Sequence, residues 1–444
     1  MVDKARPVSP RSKQAESLTA EAAFRREIAP WALLGLTLGL VEGATAAVLI
    51  KKTFMHAASP WIVNLAVAFV SGAPALSNVV SFVWANLAHG RARIGLMVGL
   101  QAGFALLVGL LGVAPHALAG LAFAVASILV ARVVWTGILT VRAAVWSANY
   151  PRTAIGRYTG RIVIVSSLAV ALAAGCAAWV LDTGVIDSRW LFGGGAVAGL
   201  IAAWLYRAAR VRREFVLLAE ENAVIGRSEP FSLGMLFEIL KKDPHFREYM
   251  FWMGVFGGGN LMLTSQLVVI FSEHLHLSAS SQIALLSIVP LGLLPLFVPF
   301  WARMFDQGHV VEYRARQGWT LVAAVALLTI GTWIAWLPLL WIGAAVLAFA
   351  YAGSNLGWNL GHNDFASVGR AQHYMGVHVT LTGVRGAIGP PAGILIYQWL
   401  ESLRPGLGIY SLVLPLGFVT VGAAGFSHMR RVMHAQAQST DGNS

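Results

Sequence analysis

The amino-acid sequence predicts an all-α polytopic membrane protein whose twelve transmembrane helices form two pseudo-symmetric six-helix bundles. Of its 444 residues, 57% are hydrophobic and only 12% are charged, whereas soluble proteins carry about 25% charged residues. Twelve apolar runs follow one another along the chain, and each approaches the roughly 20 residues that cross a bilayer. A charged segment separates the first six runs from the last six, and the two halves share short sequence matches.

The apolar runs define the predicted helices in order. The first six lie near 31–50, 61–84, 94–113, 117–146, 161–181 and 190–207, and the second six near 249–271, 281–301, 318–337, 339–361, 375–399 and 405–427. We therefore expect a disordered cytoplasmic tail (1–27), an N-terminal bundle (28–207), a cytoplasmic linker (208–246), a C-terminal bundle (247–430) and a second disordered tail (431–444).

The distribution of basic residues predicts the orientation. With both termini cytoplasmic, 25 of the 32 Lys and Arg residues fall on cytoplasmic segments, 4 on the opposite loops and 3 inside helices. This asymmetry is what the positive-inside rule requires. The surplus charge is spread over several loops, so anionic lipid headgroups are a sufficient partner and a nucleic-acid partner is not expected. We expect a multi-pass protein of a bacterial inner membrane.

An internal repeat relates the two halves. The matches pair Phe82–Ala85 with Pro299–Ala302 at an offset of 217, Tyr158–Gly160 with Tyr374–Gly376 at 216, and Asn149–Tyr150 with Asp364–Phe365 at 215. The nearly constant offset favours duplication over chance. Two six-helix bundles of the same orientation form an arrangement in which a substrate site lies near the membrane midplane between halves that rock.

The layout, the repeat and two local motifs together resemble the major facilitator superfamily of secondary transporters over about residues 31–430. The family's loop between the second and third helices reads Gly-x-x-x-Asp-Arg-x-Gly-Arg-Arg. Ala85–Arg93 stands at that place, with Ala85, His89 and Ala92 replacing the first glycine, the aspartate and the second glycine. The matching loop of the second half retains the acid as Asp306. Arg132 followed by Gly137 is similar to the family's intramembrane arginine and nearby glycine.

This resemblance implies a gate at the cytoplasmic side. In the family, the loop acid stabilises one closed state by meeting the amino end of a helix in the opposite half. Asp306 would then face the fifth helix, near Arg161, and a carboxylate is favourable at a helix amino end. The remaining gating candidates are His89, Arg93, Arg142 and Asp364. The alternatives are that Asp306 is an exposed surface acid and that Arg142 reaches the interface with its charged end.

Three charged residues are predicted near the middle of the bilayer, namely Glu42, Arg132 and Arg385. A charge there costs on the order of 3 kcal/mol on insertion scales, so such residues normally face protein or a water-filled cavity. We interpret them as the core of a substrate and coupling cavity. The alternative is a set of buried ion pairs that fix helix packing.

Polar side chains recur with helical spacing in three helices and predict the walls of this cavity. The stripes are His378, Thr382 and Arg385 in the eleventh helix, Asn355, Asn359 and His362 in the tenth, and Asn260 and Thr264 in the seventh. Ordinary hydrogen bonding between helices is the alternative interpretation.

These residues favour a secondary active transporter of a small or medium polar, anionic solute. Three intramembrane arginines, Arg142 included, stand against one glutamate, and guanidinium groups bind carboxylate and phosphate well. Glu42 is the candidate proton carrier. The alternatives are an exporter of a larger amphiphile, such as a siderophore or drug, and a non-transporting membrane assembly or sensor protein.

No enzymatic function is expected. The sequence has no Walker-type phosphate loop, no His-Glu-x-x-His pattern and no nucleophile elbow. Its 11 methionines and 12 histidines are scattered without paired ligand spacing. We therefore predict no cofactor and no metal site, and a monomer whose partners are the solute, a coupling ion and the bilayer.

Overall fold

The computed structural model of the protein describes residues 10–151, 154–224, 232–367 and 370–441. Within these ranges the regular structure is helical and no residue lies in a β-strand. A helix satisfies every backbone N–H and C=O group within one segment, which a chain in hydrocarbon requires. The predicted all-α fold is confirmed.

Eight helices build the N-terminal half: α1 (Pro10–Gly39), α2 (Gly43–Thr53), α3 (Pro60–Leu76), α4 (Ser81–Ala88), α5 (Arg93–Leu110), α6 (Leu118–Asn149), α7 (Ile155–Thr183) and α8 (Arg189–Tyr206). Two helices follow in the linker, α9 (Glu214–Val224) and α10 (Leu233–Lys242). Seven more build the C-terminal half: α11 (Pro244–Glu273), α12 (Ala279–Ile283), α13 (Val289–Phe305), α14 (Val310–Trp333), α15 (Leu337–Leu360), α16 (Ala371–Leu403) and α17 (Val413–Asp441).

The helices correspond to the predicted apolar runs. α2 continues α1, α4 continues α3, and α13 continues α12 through a π-helical turn. Among the described residues, nine helices are long and apolar enough to cross a membrane, and α1 with α2, bent by 42°, provides a tenth. α8 and α14, which lie at the positions of the sixth and ninth predicted runs, are not among these ten. α8 has only 18 residues, and α14 opens with a charged turn.

Successive spans reverse direction, so the connecting turns alternate between two ends of the molecule. We call the end that holds both chain termini and the linker the termini side, and the opposite end the far side. The turns at 89–92 and 306–309 lie on the termini side, and those at 54–59 and 274–278 lie on the far side.

The internal repeat is visible as two equivalent helix contacts. A Cβ atom at Gly137 in α6 would lie 2.8 Å from Cδ2 of Trp84, and one at Gly353 in α15 would lie 2.9 Å from Cδ2 of Trp301. Each indole therefore packs where only glycine leaves room. The tryptophans are 217 positions apart and the glycines 216, so the second and fourth spans of each half meet in the same way.

The two ends of the chain differ from the expectation of disordered tails. α1 begins at Pro10, and Ala20 and Glu27 are fully buried. The Glu27 carboxylate accepts hydrogen bonds from Nε1 of Trp146 at 2.7 Å and from Oη of Tyr150 at 3.2 Å. These bonds draw the charged segment into the bundle, which hydropathy alone does not reveal. At the other end α17 continues to Asp441, while residues 1–9 and 442–444 lie outside the described ranges.

The two bundles meet most closely along α3 and α16. A Cβ atom at Gly72 in α3 would lie 2.6 Å from the carbonyl oxygen of Gly386 in α16. The two backbones approach this closely because neither residue has a side chain, the device that membrane helices commonly use at contacts. This contact joins the second half of α3, away from the far side, to the middle of α16.

Candidate functional site

The predicted centre of the N-terminal bundle contains an ion pair. Glu42 lies at the break between α1 and α2, just before Gly43, whose φ of +32° favours glycine. Nη1 of Arg132 in α6 donates a hydrogen bond to Oε2 of Glu42 at 2.7 Å. The Arg132 side chain is 7% exposed and that of Glu42 is 26% exposed. The guanidinium is therefore enclosed, whereas the carboxylate remains accessible to water.

Arg385 of α16 has a different environment. Its guanidinium donates to the backbone oxygen of Met253 in α11, to Oγ1 of Thr382 and to the backbone oxygen of Leu381. Within the described ranges no carboxylate lies within 4.0 Å of it. A Cβ atom at Gly257 would overlap the guanidinium, so this glycine makes room for it. Arg385 thus carries a positive charge that the bundle does not neutralise.

The predicted stripe on α16 faces other helices of its own bundle. His378 and Thr382 are 1% and 8% exposed. The ring of Trp358 in α15 lies 5.3 Å from that of His378, and its Nε1 donates to Oγ1 of Thr382 at 3.3 Å. Trp358 and Arg385 therefore share the Thr382 hydroxyl.

The residues of the stripe predicted on α15 do not share one environment. Asn355 and Asn359 are exposed, whereas His362 is 7% exposed and lies in a 3₁₀ turn after the helix. The change from α to 3₁₀ geometry alters the angular spacing, so His362 leaves the face that the two asparagines share.

The pair predicted on α11 meets α15. Oη of Tyr351 donates to Oδ1 of Asn260 at 3.3 Å, and Thr264 interacts with the same hydroxyl. These residues therefore connect two helices of the C-terminal bundle.

The gating residues predicted in the first half do not meet the opposite bundle. His89 is exposed. Arg93 pairs with Glu221 of the linker helix α9, and its backbone N–H donates to Oε1 of Glu214 at 2.9 Å. α9 therefore supplies the carboxylates at this loop, where His89 replaces the aspartate of the motif.

The gating residues on and opposite the second-half loop are not in contact. Asp306 is exposed and makes no ion pair within the described ranges, and Arg161 is exposed. The predicted contact with α7 is absent from this conformation.

Asp364 and Arg142 make contacts within their own bundles. Oδ2 of Asp364 accepts the backbone N–H of Val310 at 2.6 Å and so caps α14. Arg142 lies over Trp31 and Trp146, with Cζ 5.1 Å and 4.5 Å from their ring centroids. Both arrangements stabilise the termini-side ends of the bundles.

A polar cluster that we call the far-side latch joins the two bundles. Nζ of Lys51 in α2 lies 2.5 Å from both Oε1 of Glu273 in α11 and Oδ1 of Asn64. Asn64 also donates to Glu273 at 3.1 Å, and Oη of Tyr397 donates to Oε2 of Glu273 at 2.6 Å. Lys51 is 6% exposed. A buried cation is tolerated here because a carboxylate and an amide surround it.

A second contact closes the same side. The carboxylate of Asp182, near the end of α7, accepts the backbone N–H groups of Ala279 at 2.7 Å and Ser280 at 2.9 Å. These groups open the span formed by α12 and α13, and the first N–H groups of a helix have no intrahelical partner. An acid of one bundle therefore caps a helix of the other.

The termini side contains a cavity. Its volume is about 480 Å³, and it lies between the end of α6, the linker helix α9 and the start of α16. It is lined by Arg93, Ala143, Ala144, Ser147, Ala148, Leu217, Glu221 and Gln372. The polar contacts described above thus join the bundles on the far side, and this cavity lies on the termini side.

Sequence reasoning missed several of these residues. Lys51 was assigned to a far-side loop and Arg314 to a termini-side loop, but both are buried within helices. Glu27 was placed in a tail. The only signal for them was a charge at the edge of an apolar run, which does not distinguish a loop residue from a buried one.

Comparisons with known proteins agree with this geometry. Residues 31–390 match the sequence profile of the Major Facilitator Superfamily. The chain is similar to the crystal structure of the nucleoside transporter NupG, with a TM-score of 0.68 at 13% identity over 92% of this chain and 98% of that one. A D-xylose-proton symporter gives a TM-score of 0.65 at 12% identity over 91% and 96%.

The human organic anion transporter MFSD10 gives a TM-score of 0.56 at 15% identity over 93% of this chain and 99% of that one. Identities this low speak to the fold alone. Among curated proteins, no sequence is significantly similar to this chain.

Proposed function

Because the chain belongs to the Major Facilitator Superfamily, we propose that it is a secondary active transporter that moves a small or medium polar, anionic solute. Transport proceeds by alternating access and is coupled to protons. The protein acts as a monomer in a bacterial inner membrane with both termini in the cytoplasm. In that orientation the termini side, which holds the cavity, is cytoplasmic, and we interpret this conformation as inward-facing.

The anionic character of the solute is supported by Arg385. The charges of Glu42 and Arg132 neutralise each other in an ion pair, whereas the partners of Arg385 among the described residues are backbone oxygens and a hydroxyl. An unneutralised guanidinium deep in a membrane protein is costly unless an anion meets it. This single observation carries the proposal, because a neutral or cationic solute would leave the charge unmatched.

Alternating access is supported by the asymmetry between the two ends. The far-side latch and the Asp182 cap hold the bundles together on one side, while the cavity opens on the other. Both contacts are polar and lie between bundles, so they can break without disturbing either core. Rocking of one bundle against the other would then expose the same centre to the far side.

The proposed proton carrier is Glu42. Its carboxylate is accessible to water and bonded to an enclosed arginine. Protonation of Glu42 would remove the counter-charge of Arg132 and leave a second guanidinium for an anion. Binding of the proton and binding of the solute would thereby favour each other.

We expect Glu42→Gln to lose the dependence of transport on a pH gradient, since the amide cannot exchange a proton. Purified protein reconstituted in vesicles would be tested for uptake and efflux with and without an imposed gradient. Candidate solutes come from a thermal-shift screen of organic anions, phosphates, amino acids and siderophores, because a ligand stabilises the folded state it binds.

Glu238→Gln provides the matched control, because Glu238 is an exposed acid of linker helix α10 that pairs with Lys242 one turn away. Gradient-driven transport by Glu42→Gln at the wild-type rate would refute the coupling role. Failure of every solute class to cross the vesicle membrane would refute the transporter and leave an assembly or sensor protein.

We also propose that Asp306 forms the termini-side gate once that side closes, by meeting the amino end of α7 near Arg161. A carboxylate at a helix amino end contributes roughly 0.3 to 1 kcal/mol. Asp306→Asn should therefore shift the equilibrium toward the open termini side by roughly 2- to 5-fold. The measurement is the rate at which a bound solute is trapped when the termini side closes.

Asp187→Asn is the control, since Asp187 is an exposed acid on the far side whose ion pair is with Arg189 of its own bundle. Trapping kinetics of Asp306→Asn that match those of wild type would eliminate the gate.

A further inference from the structure

The termini-side half of the C-terminal bundle contains an unusual group of buried polar atoms. Within the described ranges, six of them lack a hydrogen-bond partner: Oη of Tyr249, Nε of Arg314, Nδ1 of His362, Nδ1 of His373, and both Nδ1 and Nε2 of His378. The exposed fractions of Tyr249, Arg314, His362 and His378 are 0%, 1%, 7% and 1%. Buried polar groups are normally paired, so several orphans in one place require an explanation.

The orphaned groups belong to one neighbourhood. The charged groups that interact electrostatically with His378 are Arg385, Arg314 and His362, and those that interact with Arg385 include Arg314 and Tyr249. The residues lie on four neighbouring segments, α11, α14, the turn after α15, and α16. At 1.5 Å per residue, Tyr249, Arg314 and His378 each lie about 6 to 11 Å from the start of their helices. These three residues therefore lie at a similar depth in the C-terminal bundle, measured from the termini side.

Gly357 in α15 and Gly361 in the 3₁₀ turn after it leave room for this group. A Cβ atom at Gly357 would lie 2.7 Å from Cζ and Nε of Arg314, and one at Gly361 would lie 2.8 Å from Oη of Tyr249. The glycines are one turn apart on one face of the chain. Side chains there would fill the space in which the guanidinium and the phenol now lie.

Arg314 has a donor that no group of this cluster accepts. Its Nε can only donate, whereas the phenol of Tyr249 and a neutral imidazole can each both donate and accept. The other nitrogens of Arg314 already bond Oε1 of Gln317 at 2.8 Å and the backbone oxygen of Ser354 at 3.4 Å. A water molecule would bring further donors and no charge. An anion offers only acceptors.

The charge balance indicates the same ligand. Arg314 and Arg385 are both cationic, and no carboxylate of the described residues lies within 4.0 Å of either guanidinium. An acid of this region, Asp364, interacts with His362 but is exposed and caps α14 through the N–H of Val310. Two like charges in a protein interior destabilise each other when no counter-ion is present. An anion close to both would relieve this repulsion.

We propose that the C-terminal bundle binds a small anion, a halide or an oxyanion of the phosphate or carboxylate type, among Arg314, His378, Tyr249 and Arg385. The anion is either an inorganic ion that resides in the bundle or the anionic group of a larger molecule. The site shares Arg385 with the proposed solute site but does not depend on transport, because a resident ion satisfies the orphaned donors equally well.

The test is the thermal midpoint of the purified full-length protein at constant ionic strength in three series: sodium chloride, sodium phosphate and sodium gluconate. We expect a saturable rise of a few degrees with chloride or phosphate, because a ligand of the folded state stabilises it. A rise with gluconate alone would identify an organic carboxylate as the ligand and still support the site. If the thermal midpoint of the wild-type protein shows no saturable rise in all three series, the proposal is overturned.

Arg314→Gln locates the site, and Arg316→Gln is its control. The two arginines are in the same helix, and Arg316 is exposed. The anion-dependent rise should disappear in Arg314→Gln and persist in Arg316→Gln, and equal rises in both would overturn the assignment. If Arg314→Gln does not fold, His378→Phe removes two orphaned nitrogens while keeping a ring. This variant should weaken the anion dependence at least 10-fold, and unchanged dependence would count against the site.

Discussion

Arg385→Gln is expected to reduce transport to background while the protein still inserts and folds. The substitution removes the positive charge that α16 carries at the centre of the C-terminal bundle. A hydrogen bond to a charged group contributes about 1.5 to 3 kcal/mol, and losing the upper part of that range weakens solute binding by roughly 30- to 150-fold. The measurement is solute uptake and solute-induced thermal shift in the same preparation.

The controls distinguish a role of Arg385 in solute binding from a role in helix packing. Arg385 also connects α16 to α11 through the backbone oxygen of Met253, so a purely structural role would lower the thermal midpoint of the solute-free protein. Arg404→Gln removes an exposed arginine at the end of the same helix and should leave transport unchanged. Arg385→Lys keeps the positive charge but lacks the planar guanidinium with its paired N–H donors. It should therefore retain part of the affinity for the solute.

Gly257→Ala offers an independent test of the same group. A methyl group at Gly257 would overlap the guanidinium of Arg385 and should displace it without removing its charge. Loss of solute affinity in this variant would support the geometry. If Arg385→Gln transports like wild type, Arg385 does not bind the solute.

Glu273→Gln is expected to open the far side. The change leaves Lys51, only 6% exposed, without its carboxylate partner, and unpairing a buried charge costs about 3 kcal/mol or more. States of a transporter differ by only a few kcal/mol, so this cost can invert the population in favour of the far-side-open state. Spin labels at the exposed residues Val185 and Ile334, one on each bundle, should report a longer distance.

A double-mutant cycle identifies the partner. Lys51→Met should produce the same opening, and the double variant should open no further than either single one, because both remove the same contact. Lys241→Met, at an exposed lysine of linker helix α10, should have no effect. Additive opening in the double variant would mean that the two residues act independently. Because Asp182 still caps α12 in all of these variants, we expect the far side to open partly and not completely.

Much of the fold was predictable because hydropathy is read directly from the chain. Every apolar run of the predicted length is a helix, since a single segment in hydrocarbon can satisfy its own backbone only as a helix. The repeat was predictable from Trp84 and Trp301, and the equivalent contacts with Gly137 and Gly353 confirm it. The intramembrane charges Glu42, Arg132 and Arg385 stood out because the bilayer makes such residues rare.

The partners of those charges were not predictable. Lys51 and Glu273 are separated by 222 positions, and both lie where an apolar run ends, so each could equally be a solvated loop residue. Arg93 was predicted to take part in a gate between bundles, but the linker helix α9 provides its carboxylate partner. No local pattern encodes which helix of one bundle approaches which helix of the other.

The sequence by itself therefore determined the class of protein, the order of its apolar segments and the presence of charges within them, because each depends on the composition of a single segment. Only the tertiary structure decided that Glu42 pairs with Arg132, that no carboxylate of the described residues lies within 4.0 Å of Arg314 or Arg385, and that Lys51 and Asp182 join the bundles on the far side. Those outcomes depend on the distances between helices, and the packing of the two bundles determines these distances.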